Sequence, residues 1–236
     1  AVGTSNVVDG LAALKTLVEG QGSYTLDAVR RAVRDDWEGH GELLEAIRKQ
    51  CPKHGNDVPA VNDLFAEVAG AWCSGFESCT NYLGGPILPG FLGWTVWIRQ
   101  GEQTPATPDG RHAGEPLANC VTNCTGVDVK GLPAVVCSVS RFDQSRGLGG
   151  MVFNARFQAD VLAEDKGVEA VKGMIEAAFD LGTYQLQVNL ASSETLRRAQ
   201  GSPEDYHDLL VRIGGYLVPF VLLPAAAQND VIARTE

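Results

Sequence analysis

Three groups of residues in this chain have types and spacings that could do chemistry. The first is the six cysteines, Cys51, Cys73, Cys79, Cys120, Cys124 and Cys137. Cys120 and Cys124 stand as C-x3-C, but Val127 occupies the place of a third cysteine, so an iron–sulfur triplet is incomplete. Cys73 and Cys79 are too far apart for a zinc knuckle, and His54 and His112 lack companions at ligand spacing. The expectation is six buried, inert, reduced thiols and no metal. The second group is Thr107-Pro108-Asp109-Gly110-Arg111, a Pro-Asp-Gly turn whose Arg111 could pair with a carboxylate. The third is Val211-Arg212-Ile213-Gly214-Gly215-Tyr216. By local pattern, two glycines after an apolar run cap a helix C-terminus, with Arg212 in the last turn where the helix dipole favours a cation.

The elements that must position these groups are read from apolar spacing. A helix over 9–18 places Leu11, Leu14, Leu17 and Val18 on one face. A second starts at Thr25 as N-cap and turns Leu26, Val29, Val33 and Trp37 inward. Short helical runs follow from Leu43 and from Asn62, the latter with Leu64, Val68 and Trp72 on one face, around a loop at 51–57. The acidic residues near Glu42 and Glu45 read as a solvated helix face. Residues 82–116 are rich in Gly and Pro, interrupted by a strand-like run, Phe91–Ile98. Ala134–Phe142, Met151–Phe157 and Tyr184–Ala191 read as strands, with a helix at Val168–Phe179 before the last. In the last strand Gln187 and Asn189 alternate with apolar residues and read as satisfied sheet polars, with a lumen-facing, substrate-side role as the less favoured alternative. Ser202-Pro203-Glu204-Asp205 supplies an N-cap, Pro at N1 and first-turn acids, predicting a C-terminal helix that ends at Gly214-Gly215.

Composition bounds the function classes. Among 236 residues, 44% are hydrophobic, enough for a sizeable core, and Lys and Arg number 19 against 29 Asp and Glu, for a net charge of −10. A chain this acidic carries no footprint for nucleic acid or an anionic membrane. The richest apolar run, Leu209–Ala227, is broken by Arg212, two glycines and two prolines, so no membrane span is expected. The opening Ala1-Val2-Gly3-Thr4-Ser5-Asn6 has neither the basic nor the apolar region of a secretory leader and no initiator Met. The expected location is the cytoplasm.

Val211–Tyr216 resembles the signature of the glycyl radical enzymes: an Arg, an aliphatic residue, a small residue, then Gly-Tyr. Further blocks look like those of the same family in the same order. They include 9–15, Pro52-Lys53-His54-Gly55-Asn56-Asp57, Ala106–Arg111, Gly114-Glu115-Pro116-Leu117-Ala118, Ser138-Val139-Ser140, Phe153-Asn154, Asp180-Leu181-Gly182 and the tail 228–235. The resemblance covers essentially the whole chain. It points to the pyruvate formate-lyase-like proteins, and within them to the glycerol- and choline-type dehydratase, lyase and decarboxylase branch.

What the resemblance implies is specific. The fold would be α/β, the C-terminal part of a ten-stranded α/β barrel with flanking helices; residues 1–110 would belong to the barrel domain and 111–236 to the glycine radical domain. Gly215 would be the catalytic radical position, supported by Arg212, Gly214 and Tyr216. Glycine suits a Cα radical because delocalisation into the flanking amides needs a planar centre that a Cβ would crowd. No cofactor would be bound; a radical-SAM activating enzyme using S-adenosylmethionine would install the radical, which passes to a cysteine on a second loop and from there to a small-molecule substrate. That cysteine lies upstream of the first matched block in the family, and none of the six here occupies its position. The chain is therefore expected to be a C-terminal fragment of an anaerobic lyase, dehydratase or formate C-acetyltransferase-like enzyme, homodimeric at full length and inactive for turnover alone. A stand-alone radical-carrying subunit that completes a separate catalytic chain is the alternative. If part of a barrel is absent, strand edges and apolar faces between 134 and 191 lose their partners, which predicts aggregation.

Overall fold

A computed structural model describes residues 1–93, 95–156, 165–189, 192–213 and 215–233, without the side chains of Arg156 and Asn189. The N-terminal half is helical. Helix α1 (Thr4–Leu14) runs into a π-helical turn (Lys15–Gly20), followed by α2 (Leu26–Arg34), α3 (Gly41–Gln50) and α4 (Pro59–Glu77). Thr25 caps α2 through its hydroxyl, which accepts from the Ala28 amide, as its type and position predict. Pro59 opens α4, where its missing N–H costs no helical hydrogen bond.

Two apolar clusters hold this half. Val29, Ala32 and Trp37 pack with Leu17, Leu43 and Ile47. Val8 and Ala12 of α1 pack with Val61, Leu64, Phe65 and Ala69 of α4 and with later residues Phe91, Phe142 and Phe153. The inward faces differ from the expected ones at their ends: Leu11, Leu26 and Trp72 are exposed. Here the buried stripe of α1 runs through small and β-branched residues, Val8, Ala12 and Ala13, which let α4 approach closely.

Three predicted elements are corrected. Ala134–Phe142 is not a strand: helix α6 (Leu132–Val139) covers most of it, opened by Pro133 after Gly131. A short apolar run buried on all sides carries no periodicity that separates helix from strand. Of Phe91–Ile98, Phe91 makes one parallel bridge to Met151, while Val96 onwards belongs to α5 (Val96–Glu102). The predicted C-terminal helix is also absent: Pro203–Asp205 makes a single 3₁₀ turn, and the chain continues as an antiparallel hairpin of β3 (Leu210–Ile213) and β4 (Tyr216–Pro219).

The remaining elements are a short parallel pair, β1 (Asn154–Arg156) with β2 (Gln187–Asn189), connected across α7 (Asp165–Asp180), then α8 (Ser193–Gly201) and α9 (Ala225–Ala233). The strand predictions at 151–157 and 184–191 thus hold at their centres, and Phe157 and Ala191 lie outside the described residues. A third apolar cluster joins α5, α8, β3 and α9 through Trp97, Ile98, Leu196, Ala199, Val211, Ile213, Phe220 and Ile232. The Trp97 indole N–H donates to Asp230 of α9 at 3.2 Å, pinning α5 across 133 residues of sequence.

No helix among the described residues is long and apolar enough to cross a membrane.

Candidate functional site

The segment from Leu210 to Pro219 folds as a hairpin for reasons present in its residues. Val211, Ile213 and Val218 are β-branched, and a Gly-Gly pair sits between two such runs, the sequence of a two-residue hairpin turn. The register pairs Ile213 with Tyr216 and Leu210 with Pro219. Pro219, having no N–H, sits at the last paired position, where the ladder ends. Val211 and Ile213 point into the third cluster, while Arg212, Tyr216 and Leu217 face outward, the last two about 60% exposed (61% and 62%).

Gly215 lies in the turn with φ +93°, and a Cβ built on it would meet nothing within 4 Å. The requirement for glycine in this resting structure is therefore torsional rather than spatial: L side chains rarely adopt that φ. Both polar groups of Gly215 are engaged. Its N–H donates to Gln187 Oε1 at 2.9 Å, and its carbonyl accepts from Arg212 Nη2 at 3.3 Å.

Gln187, 1% exposed on β2, is the hub of that arrangement. Its Nε2 donates to Asn154 Oδ1 at 2.8 Å and to the Arg212 carbonyl at 3.1 Å. Asn154 is its register partner in the parallel pair. The Asn154 amide in turn donates to Thr122 Oγ1, and the Thr122 carbonyl accepts from Ser5 Oγ of α1 at 2.8 Å. A buried polar chain thus runs from the hairpin turn to the first helix.

Chemically, a glycine of this kind suits one-electron work. An unpaired electron on Cα spreads into the amide nitrogen on one side and the carbonyl on the other. An acceptor on the N–H raises the electron-donating power of nitrogen, and a cationic donor on the carbonyl oxygen raises its withdrawing power. Gln187 and Arg212 supply those two partners.

A second polar cluster lies where the 52–57 loop meets residues 106–124. Asp9 of α1, 1% exposed, accepts from the His54 amide at 2.7 Å, and its other oxygen has no partner among the described residues. Burial, partly opposed by Lys53 and the His54 N–H, raises its pKa to about 7. His54 is fully buried and stacked on Phe65 with ring centroids 4.2 Å apart; burial lowers its pKa to about 4, so it is neutral. Burial, then the Asp9 and Asp109 carboxylates, push the Cys124 thiol well above the ordinary thiol value, which makes it a poor nucleophile. Asn6 donates to Asp109 at 2.6 Å and Lys53 to the Asp109 carbonyl at 2.9 Å. Asn6, Asp9, Lys53, Asp109 and Cys124 line a cavity of about 740 Å³.

Set against the sequence, the structure brings Arg212, Gly215 and Tyr216 together at one hairpin end; Gly214 lies outside the described residues. Arg212 is on a strand, not in the last turn of a helix. Arg111 is buried but pairs with no carboxylate in the bonds described: its guanidinium donates to the carbonyls of Thr104, Pro105 and Glu115 and to Thr107 Oγ1. The expectation of six buried cysteines fails for Cys79 and Cys137, which are exposed, and for Cys124, which is partly so. Among the described residues no three His, Cys, Asp or Glu side chains could hold a metal together. Sequence alone gives Gln187 as a sheet polar on the amide-lined face of its strand, and nothing local points from it to a residue 28 positions on.

Comparison with known proteins fits this geometry. The family model described as "Glycine radical" matches residues 117–221, and that described as "Pyruvate formate lyase-like" matches residues 1–101. The chain is 29% identical over 235 residues to trans-4-hydroxy-L-proline dehydratase of Clostridioides difficile, covering 100% of this chain and 30% of that protein. It is 32% identical over 241 residues to (2S)-3-sulfopropanediol dehydratase of Klebsiella oxytoca, covering 100% of this chain and 29% of that one. The glycerol-bound B12-independent glycerol dehydratase of Clostridium butyricum superposes with a TM-score of 0.96 at 35% identity, again over 100% of this chain and 30% of that one. The chain therefore spans about 30% of the length of the relatives it matches, and its elements form part of their pyruvate formate-lyase-like α/β barrel.

Proposed function

The chain belongs to the glycyl radical enzymes, and on that footing we propose that it is the radical-storing part of a dehydratase- or lyase-type member, with the unpaired electron on Cα of Gly215. One observation carries the choice of residue: Gly215 sits at a hairpin tip with φ +93° and has its N–H and its carbonyl each hydrogen-bonded. In this reading Arg212 steadies the carbonyl, Gly214 and Tyr216 complete the sequence motif, residues 1–110 form the barrel portion and 111–236 the portion bearing the radical.

Installation needs an activating enzyme. A radical-SAM activase would reductively cleave S-adenosylmethionine with one electron, releasing methionine; the resulting 5′-deoxyadenosyl radical takes one hydrogen atom from Gly215 Cα and becomes 5′-deoxyadenosine. The C–H bond breaks homolytically, so the electron stays on glycine. The exposed, uncrowded position of Cα favours such an approach. The cysteine that passes the radical to a small-molecule substrate would come from polypeptide beyond residues 1–236, because the chain spans about 30% of the length of its relatives and none of its six cysteines stands at the family's thiyl position. The complete enzyme would be a cytoplasmic homodimer.

The test is anaerobic EPR after incubation with the activase of a related dehydratase, S-adenosylmethionine and reductant. A doublet-type organic radical in the wild type that is absent from Gly215→Ala is the expected result. A doublet that survives in Gly215→Ala, or none in the wild type, sinks the assignment.

A further inference from the structure

We infer that Gln187 is the positioning residue of the Gly215 site, its carboxamide setting the torsion and the electron-donating power of the glycine amide. The inference rests on Gly215 being the radical position.

The carboxamide has only one workable orientation. Its Nε2 faces two acceptors, Asn154 Oδ1 at 2.8 Å and the Arg212 carbonyl at 3.1 Å, and a flipped amide would set an oxygen against both. Oε1 is thereby aimed at the Gly215 N–H, 2.9 Å away. Gln187 is 1% exposed, and its own amide donates to the Phe153 carbonyl at 2.8 Å, so the strand beneath it is fixed as well. Gly215, in contrast, has no side chain, and the space above its Cα is open. Nothing steric holds its N–Cα torsion; the hydrogen bonds must.

That torsion matters because spin spreads into nitrogen only when its lone pair is aligned with the Cα orbital. A buried, oriented acceptor on the N–H holds the alignment and strengthens the donation from nitrogen. The same carboxamide grips the Arg212 carbonyl, so it ties the turn to β2 at two points, residues 212 and 215. For the turn to swing out towards an activase, these two hydrogen bonds must open together.

Two readouts separate positioning from mere support, both on the full chain. The first is amide hydrogen exchange of Gly215 followed by NMR in the resting protein, with Ala32 and Phe65 amides as core controls. Gln187→Leu keeps the volume and removes the acceptor; Gly215 exchange is expected to quicken about tenfold or more while the controls stay unchanged. Gln187→Glu keeps an oxygen for the Gly215 N–H but faces the Arg212 carbonyl and Asn154 Oδ1 with a carboxylate. Lowering the pH restores one donor by protonation, so Gly215 protection should return with acid in this variant alone. The second readout is the EPR doublet after activation, whose hyperfine splitting should change, or whose lifetime should shorten several-fold, in Gln187→Leu.

Unchanged Gly215 exchange in Gln187→Leu overturns the positioning role. Faster exchange with an identical doublet of identical lifetime overturns its consequence for the radical. A wild type that yields no Gly215-dependent doublet defeats the radical-storage reading by itself, and the exchange data still decide whether Gln187 positions the glycine.

Discussion

Two polar networks in this molecule are built on opposite plans. The one between α1, the 52–57 loop and residues 106–124 is dense. Asp9, Lys53, His54, Asn56, Asp109 and Arg111 are all at least nine-tenths buried; Asp9, Lys53, His54 and Asn56 bond to backbone 45 or more residues away, and Arg111 bonds to carbonyls of its own loop. The one at the β3–β4 hairpin is sparse. Among the bonds described, it hangs the Gly215 turn on one buried carboxamide and one exposed arginine, with open space where a Cβ would stand. The difference teaches where rigidity is placed: the loops that carry no reacting atom are locked, and the tip that would carry one is held by few, breakable bonds, as elements that move must be.

The largest expected contrast is between two arginines. Arg111→Ala strips four hydrogen bonds from a buried guanidinium and strands several carbonyls, so a loss of about 3–5 kcal/mol in urea denaturation is expected. Arg212→Ala, at an exposed strand position, should cost no more than about 0.5 kcal/mol. Equal losses would mean that the hairpin is as locked as the loops.

Two glycines sharpen the same contrast. Gly55 has φ +94°, and a Cβ there would lie 2.8 Å from Asn123 Cβ, so Gly55→Ala combines strain with overlap and should cost about 2–4 kcal/mol. Gly215→Ala has the torsional strain alone, about 1–2 kcal/mol. Thermal melts of both variants give the ordering, and a Gly215→Ala protein less stable than Gly55→Ala would break the comparison.

A third effect is a slope with pH inside the dense network. Folded Asp9 holds its proton more tightly than the unfolded chain does, so its contribution to stability is lost as pH rises from about 4 to about 7. Folded His54 holds its proton less tightly, so its contribution is lost as pH falls from about 6.5 to about 4. The two oppose each other between those limits, and wild-type stability should be nearly flat there. Asp9→Asn leaves the histidine unopposed, and its stability should rise with pH by up to about 1.4 kcal/mol per unit. Parallel pH curves for the two proteins would show that Asp9 does not titrate as its burial requires.

Much of the helical half was legible because its signals are local. Thr25 as a cap, Pro59 at a helix start and Val29 with Trp37 on one face need only neighbouring residues to be read. The region around Gly215 was legible in identity and illegible in shape. Ser202-Pro203 is a true start signal, but it starts only one turn, and Leu209, Leu210 and Ile213 fit a helical face as well as Val211 and Ile213 fit a strand. The Gly-Gly pair between these runs does not break the tie, because it serves a hairpin turn as readily as a helix cap. Likewise Pro133 and Gly131 turn the apolar run after them into α6, against its β-branched content.

By itself, then, the sequence determined the family, through ordered motif blocks, and the glycine to suspect, through the residues on either side of it. Tertiary structure alone decided that this glycine sits at a hairpin tip rather than a helix end. It alone brought Gln187 to its amide and set Asn154, on a further strand, against the Gln187 carboxamide. The reason is physical: burial of Val211 and Ile213 against α5, α8 and α9 selects the strand conformation, and a hydrogen bond between residues 28 apart depends on where whole elements pack, which no local spacing encodes.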